Sequence, residues 1–129
     1  MKQKKILLVD DSNTILMMEK FILNNGPYEL ITASNGEEGV RKAREEHPDL
    51  ILLDVIMPRM GGFEACRLIR HGENAKTIPI IMVTTRGEAA NVEAGWANGC
   101  TDYVTKPINS LELLAKVRDL LGTGAEVVQ

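Results

Sequence analysis

Five short apolar runs alternate with five longer amphipathic stretches, and this alternation restricts the chain more than any other feature. The runs predict strands near 5–9, 28–33, 49–53, 79–84 and 102–104; the stretches predict helices near 13–25, 36–46, 62–70, 88–98 and 109–121. A strand followed by a helix five times over requires parallel pairing, right-handed crossovers and helices on both faces of one sheet. Runs such as Leu50-Ile51-Leu52-Leu53 and Pro79-Ile80-Ile81-Met82-Val83 suit strands buried on both sides, because a strand with one wet face would alternate apolar with polar residues. The expected fold class is therefore α/β, a single doubly wound (βα)5 parallel sheet.

Boundary residues agree with this reading. Ser12 or Asn13 can cap the first helix, Ser34-Asn35-Gly36 precedes the second, and Asn109-Ser110 with Glu112 suits the start of the fifth. Pro48, Pro58, Pro79 and Pro107 all fall between elements. A chain of 129 residues with 44% hydrophobic content fits one domain, expected over 1–122, with 123–129 as a C-terminal tail or the start of a linker. The net charge of -3 is scattered along the sequence, which argues against direct nucleic-acid binding or a membrane face. No run approaches the roughly 20 apolar residues of a membrane span. Cys66 and Cys100 lack nearby partners for a zinc set, so they read as buried reduced thiols, and a cytoplasmic location is expected.

Chemistry enters where the apolar runs end. Leu50-Ile51-Leu52-Leu53 is closed by Asp54, and Ile6-Leu7-Leu8-Val9 by Asp10 and Asp11. Alone, Asp10 is an ordinary helix cap, but three carboxylates delivered by two strand ends form a constellation. In an open parallel sheet, ligands gather outside the carboxyl ends of the strands. The fourth run adds Thr84 and Thr85 there, and the fifth is followed by Lys106-Pro107. At ~4 Å and an effective dielectric of ~20, each pair of carboxylates repels by about 4 kcal/mol, so the group needs a cation or a proton. Oxygen-only donors with room for water suit Mg2+. A carboxylate can also act as a nucleophile and form an aspartyl phosphate. Lys106 and Thr84 are suited to the oxygens of the transferred group, over which its charge is spread.

These residues carry a resemblance. Leu8-Val9-Asp10-Asp11-Ser12, Leu53-Asp54-Val55-Ile56-Met57-Pro58, Met60-Gly61-Gly62-Phe63-Glu64, Met82-Val83-Thr84 and Tyr103-Val104-Thr105-Lys106-Pro107 stand in order and at the spacing of one family. Singly each is weak; together they are specific. The chain closely resembles the receiver domain of bacterial two-component response regulators, of the chemotaxis-regulator type, over nearly its whole length. The resemblance implies a flavodoxin-like sheet of strand order 2-1-3-4-5. It implies that Asp54 accepts a phosphoryl group from a sensor histidine kinase or a histidine phosphotransfer protein. It implies Mg2+ held by Asp10, Asp11, Asp54 and the backbone carbonyl of Ile56, with Thr84, Thr85 and Lys106 at the phosphate. Thr84 and Tyr103 would be the switch pair, and the Lys106–Pro107 bond would be cis. Output would pass to a downstream protein target through the fourth helix, fifth strand and fifth helix, from a monomer or a weak phosphorylation-dependent dimer.

Some positions depart from the family pattern. Gly61 stands where Asp is common, Thr85 replaces a frequent Ala, and Ile108 replaces a frequent Phe. Ile56 and Arg86 occupy variable places flanking the site and are expected to tune dephosphorylation. The first helix carries a wider apolar arc than one core stripe requires, so part of it must be exposed; the resemblance implies that Ile15 and Met18, together with Pro107, would receive the kinase. Trp96 reads as packing along the fourth helix, and His47 and His71 as surface residues.

Three competing readings are weighed. A Mg2+-dependent aspartyl-phosphate phosphatase or phosphotransferase would want a second acid/base carboxylate just beyond the nucleophile, where Val55-Ile56 stands. A flavin mononucleotide protein would want a hydroxyl- and glycine-rich loop after the first strand, where Asp10-Asp11 would repel phosphate. A constitutive interaction domain would have no use for the full residue set. The expectation is a signalling switch that catalyses only its own phosphorylation and dephosphorylation, either alone or as the receiver of a larger regulator.

Overall fold

The computed structural model describes residues 3–24, 26–72, 77–85, 93 and 96–122. Its strands are β1 (Lys4–Val9), β2 (Tyr28–Ala33), β3 (Leu50–Asp54), β4 (Ile80–Thr85) and β5 (Asp102–Lys106). They form one parallel sheet in the order β2-β1-β3-β4-β5. The described helices are α1 (Asn13–Leu23), α2 (Gly36–Glu46), α3 (Gly62–Arg70) and a C-terminal helix (Ser110–Leu121). The helix expected over 88–98 falls mostly outside the described residues; Glu93, Trp96 and Ala97 are helical.

The caps explain where the helices begin. Ser12, and not Asn13, caps α1 by accepting from the Ile15 N–H; Asn35 does the same for Glu38 and Asn109 for Glu112. The ends differ slightly from expectation where the ladder decides. β3 includes Asp54 and β5 extends to Lys106, because Asp54 pairs with Val83, Thr84 with Thr105, and Thr85 with Lys106. The nucleophile candidate and the lysine are thus held by sheet registers and do not hang from loops.

Side chains alternate along each strand, so the sheet sorts its apolar residues into two cores. Leu7, Val9, Ile51, Leu53, Ile80 and Met82 pack with Val40, Ala43, Ala65 and Ile69 of α2 and α3. Ile6, Leu8, Leu50, Leu52, Ile81 and Val104 pack on the other face with Leu16 and Ile22 of α1 and Leu113 and Val117 of the C-terminal helix. β3 is buried along all its length, which accounts for its unbroken aliphatic run. Cys66 and Cys100 are free and buried. No described helix is long and apolar enough to cross a membrane.

Candidate functional site

Strand alternation carries the inner core to the site. Continuing Ile6-Leu8, Leu50-Leu52 and Val104 by one more step on the same face leads to Asp10, Asp54 and Lys106, all on the side covered by α1. The ladder runs on past β1, with the Asp10 N–H bonded to the Ala33 carbonyl at 3.1 Å. The apolar residues below therefore fix the height and direction of the polar ones above.

Asp10, Asp11 and Asp54 each offer a carboxylate oxygen, and these oxygens lie within 4.8 Å of one another. Asp10 and Asp54 are buried, at 1% and 3% exposure, while Asp11 faces solvent. Lys106 Nζ lies 3.0 Å from Asp54 Oδ1 and 3.9 Å from Asp10 Oδ2. The Ser12 N–H donates to Asp10 Oδ1 at 2.9 Å. Asp10 Oδ2 is buried without a hydrogen-bond partner.

The electrostatics follow from this crowding. Burial pushes the Asp10 carboxyl up to about 6, against the Ser12 N–H and with the charge of Asp54 adding to the rise. Burial also raises Asp54, although the Lys106 bond works the other way. Lys106 is disfavoured as a cation by burial, yet its bond to Asp54 and the nearby carboxylates hold it above the usual lysine range. The pocket carries one ammonium for three carboxyls, and its unsatisfied Asp10 oxygen lies beside an exposed Asp11. Such an all-oxygen, half-open donor set fits a hard divalent cation that keeps part of its water shell.

Close backbone approach brings the following loop against Asp54. A Cβ on Gly62 would lie 2.1 Å from the Asp54 carbonyl oxygen, so only glycine lets α3 begin there. The Val55 N–H bonds to Val83 at 3.1 Å, and the Gly62 N–H to Val55 at 2.8 Å. Gly61, the departure from the family pattern, caps α3 without a side-chain hydrogen bond.

The other expected residues fall as follows. Thr84 is buried at the end of β4, one step beyond the residue paired with Asp54, and Thr85 pairs through its backbone with Lys106. The Lys106–Pro107 peptide is cis. Tyr103 is half-buried on β5. The Ile56 side chain is 65% exposed beside the site. Arg86 lies outside the described residues. Ile15 is half-buried, Met18 and Pro107 are exposed, and His47 and His71 are at the surface. The wide apolar arc of α1 is divided: Leu16, Ile22 and Leu23 are buried, while Met17 and Phe21 are exposed.

Two residues escaped the sequence reading. Glu19 is 1% exposed on the inner face of α1, and its Oε1 lacks a hydrogen-bond partner. Burial pushes its carboxyl up to about 8, with Asp10 and Asp54 adding to the rise. Its place three residues after Leu16 and three before Ile22 was the available signal. Arg70 ends α3 and reaches the carbonyls of Gly99, at 2.8 Å, and Ile78, at 2.5 Å, tying the approaches to β4 and β5 to that helix.

An open parallel sheet whose carboxyl edge gathers three aspartates around a lysine defines a class of acidic-pocket α/β domains. Within it, the chain belongs to the response regulator receiver domain family, whose model matches residues 6–118. The chain is 41% identical over 118 residues to the alkaline phosphatase synthesis transcriptional regulatory protein PhoP of Bacillus subtilis, covering 92% of this chain and 48% of that protein. It is 36% identical over 117 residues to Protein PilH of Pseudomonas aeruginosa, covering 91% of this chain and 97% of that protein. The chain thus spans about half the length of the first of these relatives and nearly all of the second. Among solved structures, the chemotaxis response regulator CheY4 of Vibrio cholerae matches with a TM-score of 0.87 at 37% identity, over 93% of this chain and 100% of that one. The receiver domain of the sensor histidine kinase PA1611 of Pseudomonas aeruginosa, with a magnesium ion coordinated in its active-site cleft, matches with a TM-score of 0.87 at 30% identity. That match covers 94% of this chain and 99% of that one.

Proposed function

We propose that the chain is a phosphorylation-activated switch that accepts a phosphoryl group on Asp54 and changes its affinity for a protein partner. The observation that carries this reading is the Asp10-Asp11-Asp54 cluster with Lys106 Nζ at 3.0 Å from Asp54. The donor is a phosphohistidine on a sensor histidine kinase or a histidine phosphotransfer protein. A carboxylate oxygen of Asp54 bonds to phosphorus as the phosphorus–nitrogen bond breaks, and the departing imidazole keeps that electron pair and takes a proton from solvent. Asp10, Asp11, Asp54 and the backbone carbonyl of Ile56 would hold Mg2+, which supplies positive charge to neutralise the phosphoryl oxygens.

Each protein group then has a task. β3 fixes Asp54 through its register with β1 and β4. Lys106 moves its ammonium from Asp54 Oδ1 to a phosphoryl oxygen, and the Thr84 hydroxyl and the Thr85 end of β4 serve the others. Recruitment of Thr84 biases a two-state surface built from the segment carrying Trp96, β5 and the C-terminal helix, with Tyr103 turning inward as space opens. The chain turns over no metabolite; its only chemistry is its own phosphorylation and dephosphorylation, at a rate set partly by Ile56 and Arg86. It works in the cytoplasm and contacts no nucleic acid or membrane directly. The coverage of PhoP favours a second setting for the same chemistry, as the receiver of a longer regulator with an effector beyond Gln129.

The test is incubation with acetyl phosphate and Mg2+, followed by intact-mass measurement. Wild type gains one phosphoryl group and Asp54→Asn gains none. Equal gain in both proteins, or none in wild type, defeats the reading.

A further inference from the structure

A side chain that turns on activation must first be held in its resting place, and Tyr103, partly buried against the core of its sheet face, has two neighbours placed to do so. The Trp96 ring meets it edge-on, with centroids 6.1 Å apart and planes inclined by 79°. Lys116 Nζ, from the C-terminal helix, lies 5.5 Å from the Tyr103 ring centroid. Neither contact is incidental to a crowded core, because Trp96 is 49% exposed and Lys116 half-buried. Lys116 is anchored independently of the ring, donating to the Tyr103 carbonyl at 2.7 Å and to Asp102 Oδ1 at 3.1 Å, with Glu112 at 3.7 Å. The ammonium therefore stays where it is when the ring leaves, and the ring loses both neighbours at once.

We infer that Trp96 and Lys116 form a latch on Tyr103, holding its partly buried ring in place beside them and setting how readily the switch turns on. The inference rests on the receiver reading above and adds to it the residues that fix the resting state. Alternation along β5 puts Tyr103 on the sheet face of Met82, its register partner, and of Thr84. An inward turn toward the space beside Thr84 carries the ring away from Trp96. Edge-on aromatic pairs and exposed cation–π contacts each bias such an equilibrium by roughly twofold to tenfold. Phosphorylation must overcome that bias, so the latch tunes sensitivity without touching the reacting atoms.

Trp96 is the single tryptophan of the chain, so its emission reports the latch directly. The full chain is treated with acetyl phosphate and Mg2+ while tryptophan emission and intact mass are followed together. Emission is expected to change in step with phosphoryl gain in wild type, and to stay constant in Asp54→Asn. In Tyr103→Ala the mass is gained with little change of emission. Trp96→Leu is expected to raise the apparent affinity for the phosphodonor by roughly tenfold, with Trp96→Phe between it and wild type. Lys116→Met, which leaves Trp96 in place, raises it by a few-fold and serves should Trp96→Leu fail to fold. Phosphoryl gain with constant Trp96 emission, or with unchanged affinity in the latch variants, overturns the latch and leaves the Asp54 reading intact. No phosphoryl gain in wild type overturns the Asp54 reading, and the latch with it.

Discussion

Glu19 makes the stability of the protein depend on pH in a way that one substitution removes. Its carboxyl is raised from 4.5 to about 8, chiefly by burial, then by the charges of Asp10 and Asp54, with Lys106 opposing. Between those two values the unfolded chain has released the proton and the folded chain still holds it. Stability is then fully present below the unfolded value and falls as pH rises toward the folded one, by about 1.4 kcal/mol per pH unit. Over the whole interval the loss from this one group is on the order of 5 kcal/mol, a large part of the total stability of a small domain. Glu19→Gln keeps the shape and the polar character but carries no titrating proton. Urea unfolding at pH 5 to 9, in the presence of a chelator, gives both stabilities. The difference between variant and wild type is expected to grow by several kcal/mol in favour of Gln across that range. Asp10, whose carboxyl is also raised, titrates in both proteins and largely cancels in the difference. A difference that stays flat across the range refutes the argument, since it would mean that Glu19 is already ionised or already hydrated in the fold. Adding Mg2+ offsets the charge of Asp10 and Asp54, so the decline in wild type should end at a lower pH and be smaller.

Three further substitutions probe the scaffold. Gly62→Ala places a methyl 2.1 Å from the Asp54 carbonyl oxygen and should cost about 2 kcal/mol or more in urea unfolding while slowing the proposed phosphorylation, because the displaced backbone carries Asp54. Arg70→Met leaves the Gly99 and Ile78 carbonyls without their charged donor, and a loss of about 2–4 kcal/mol is expected by the same assay. Asn35→Ala removes the acceptor for the Glu38 N–H at the start of α2, and about 1 kcal/mol of stability should go in urea unfolding.

How far the site was legible in the sequence follows from the distance over which each residue is decided. Asp10 and Asp54 were readable because each is settled by its own strand, where an aliphatic run sets the face and height and the polar residue closes it; Lys106 was readable from its place just after the fifth run. The five-strand alternation was readable for the same reason. The register that draws Asp54 and Lys106 into β3 and β5 was not, because it depends on which strand lies alongside, and pairs such as Thr85 with Lys106 join residues far apart in the chain. Glu19 was hidden by the breadth of the apolar arc around it: with Ile15, Leu16, Met17, Met18, Phe21 and Ile22 all apolar, the sequence leaves the inward face of α1 undetermined. Only packing against the sheet shows that Met17 and Phe21 face water while a glutamate is buried. That exchange runs against transfer energies, which favour burying Phe and exposing Glu. The folded domain keeps it all the same, with a buried acid on the face that points toward Asp10, Asp54 and Lys106.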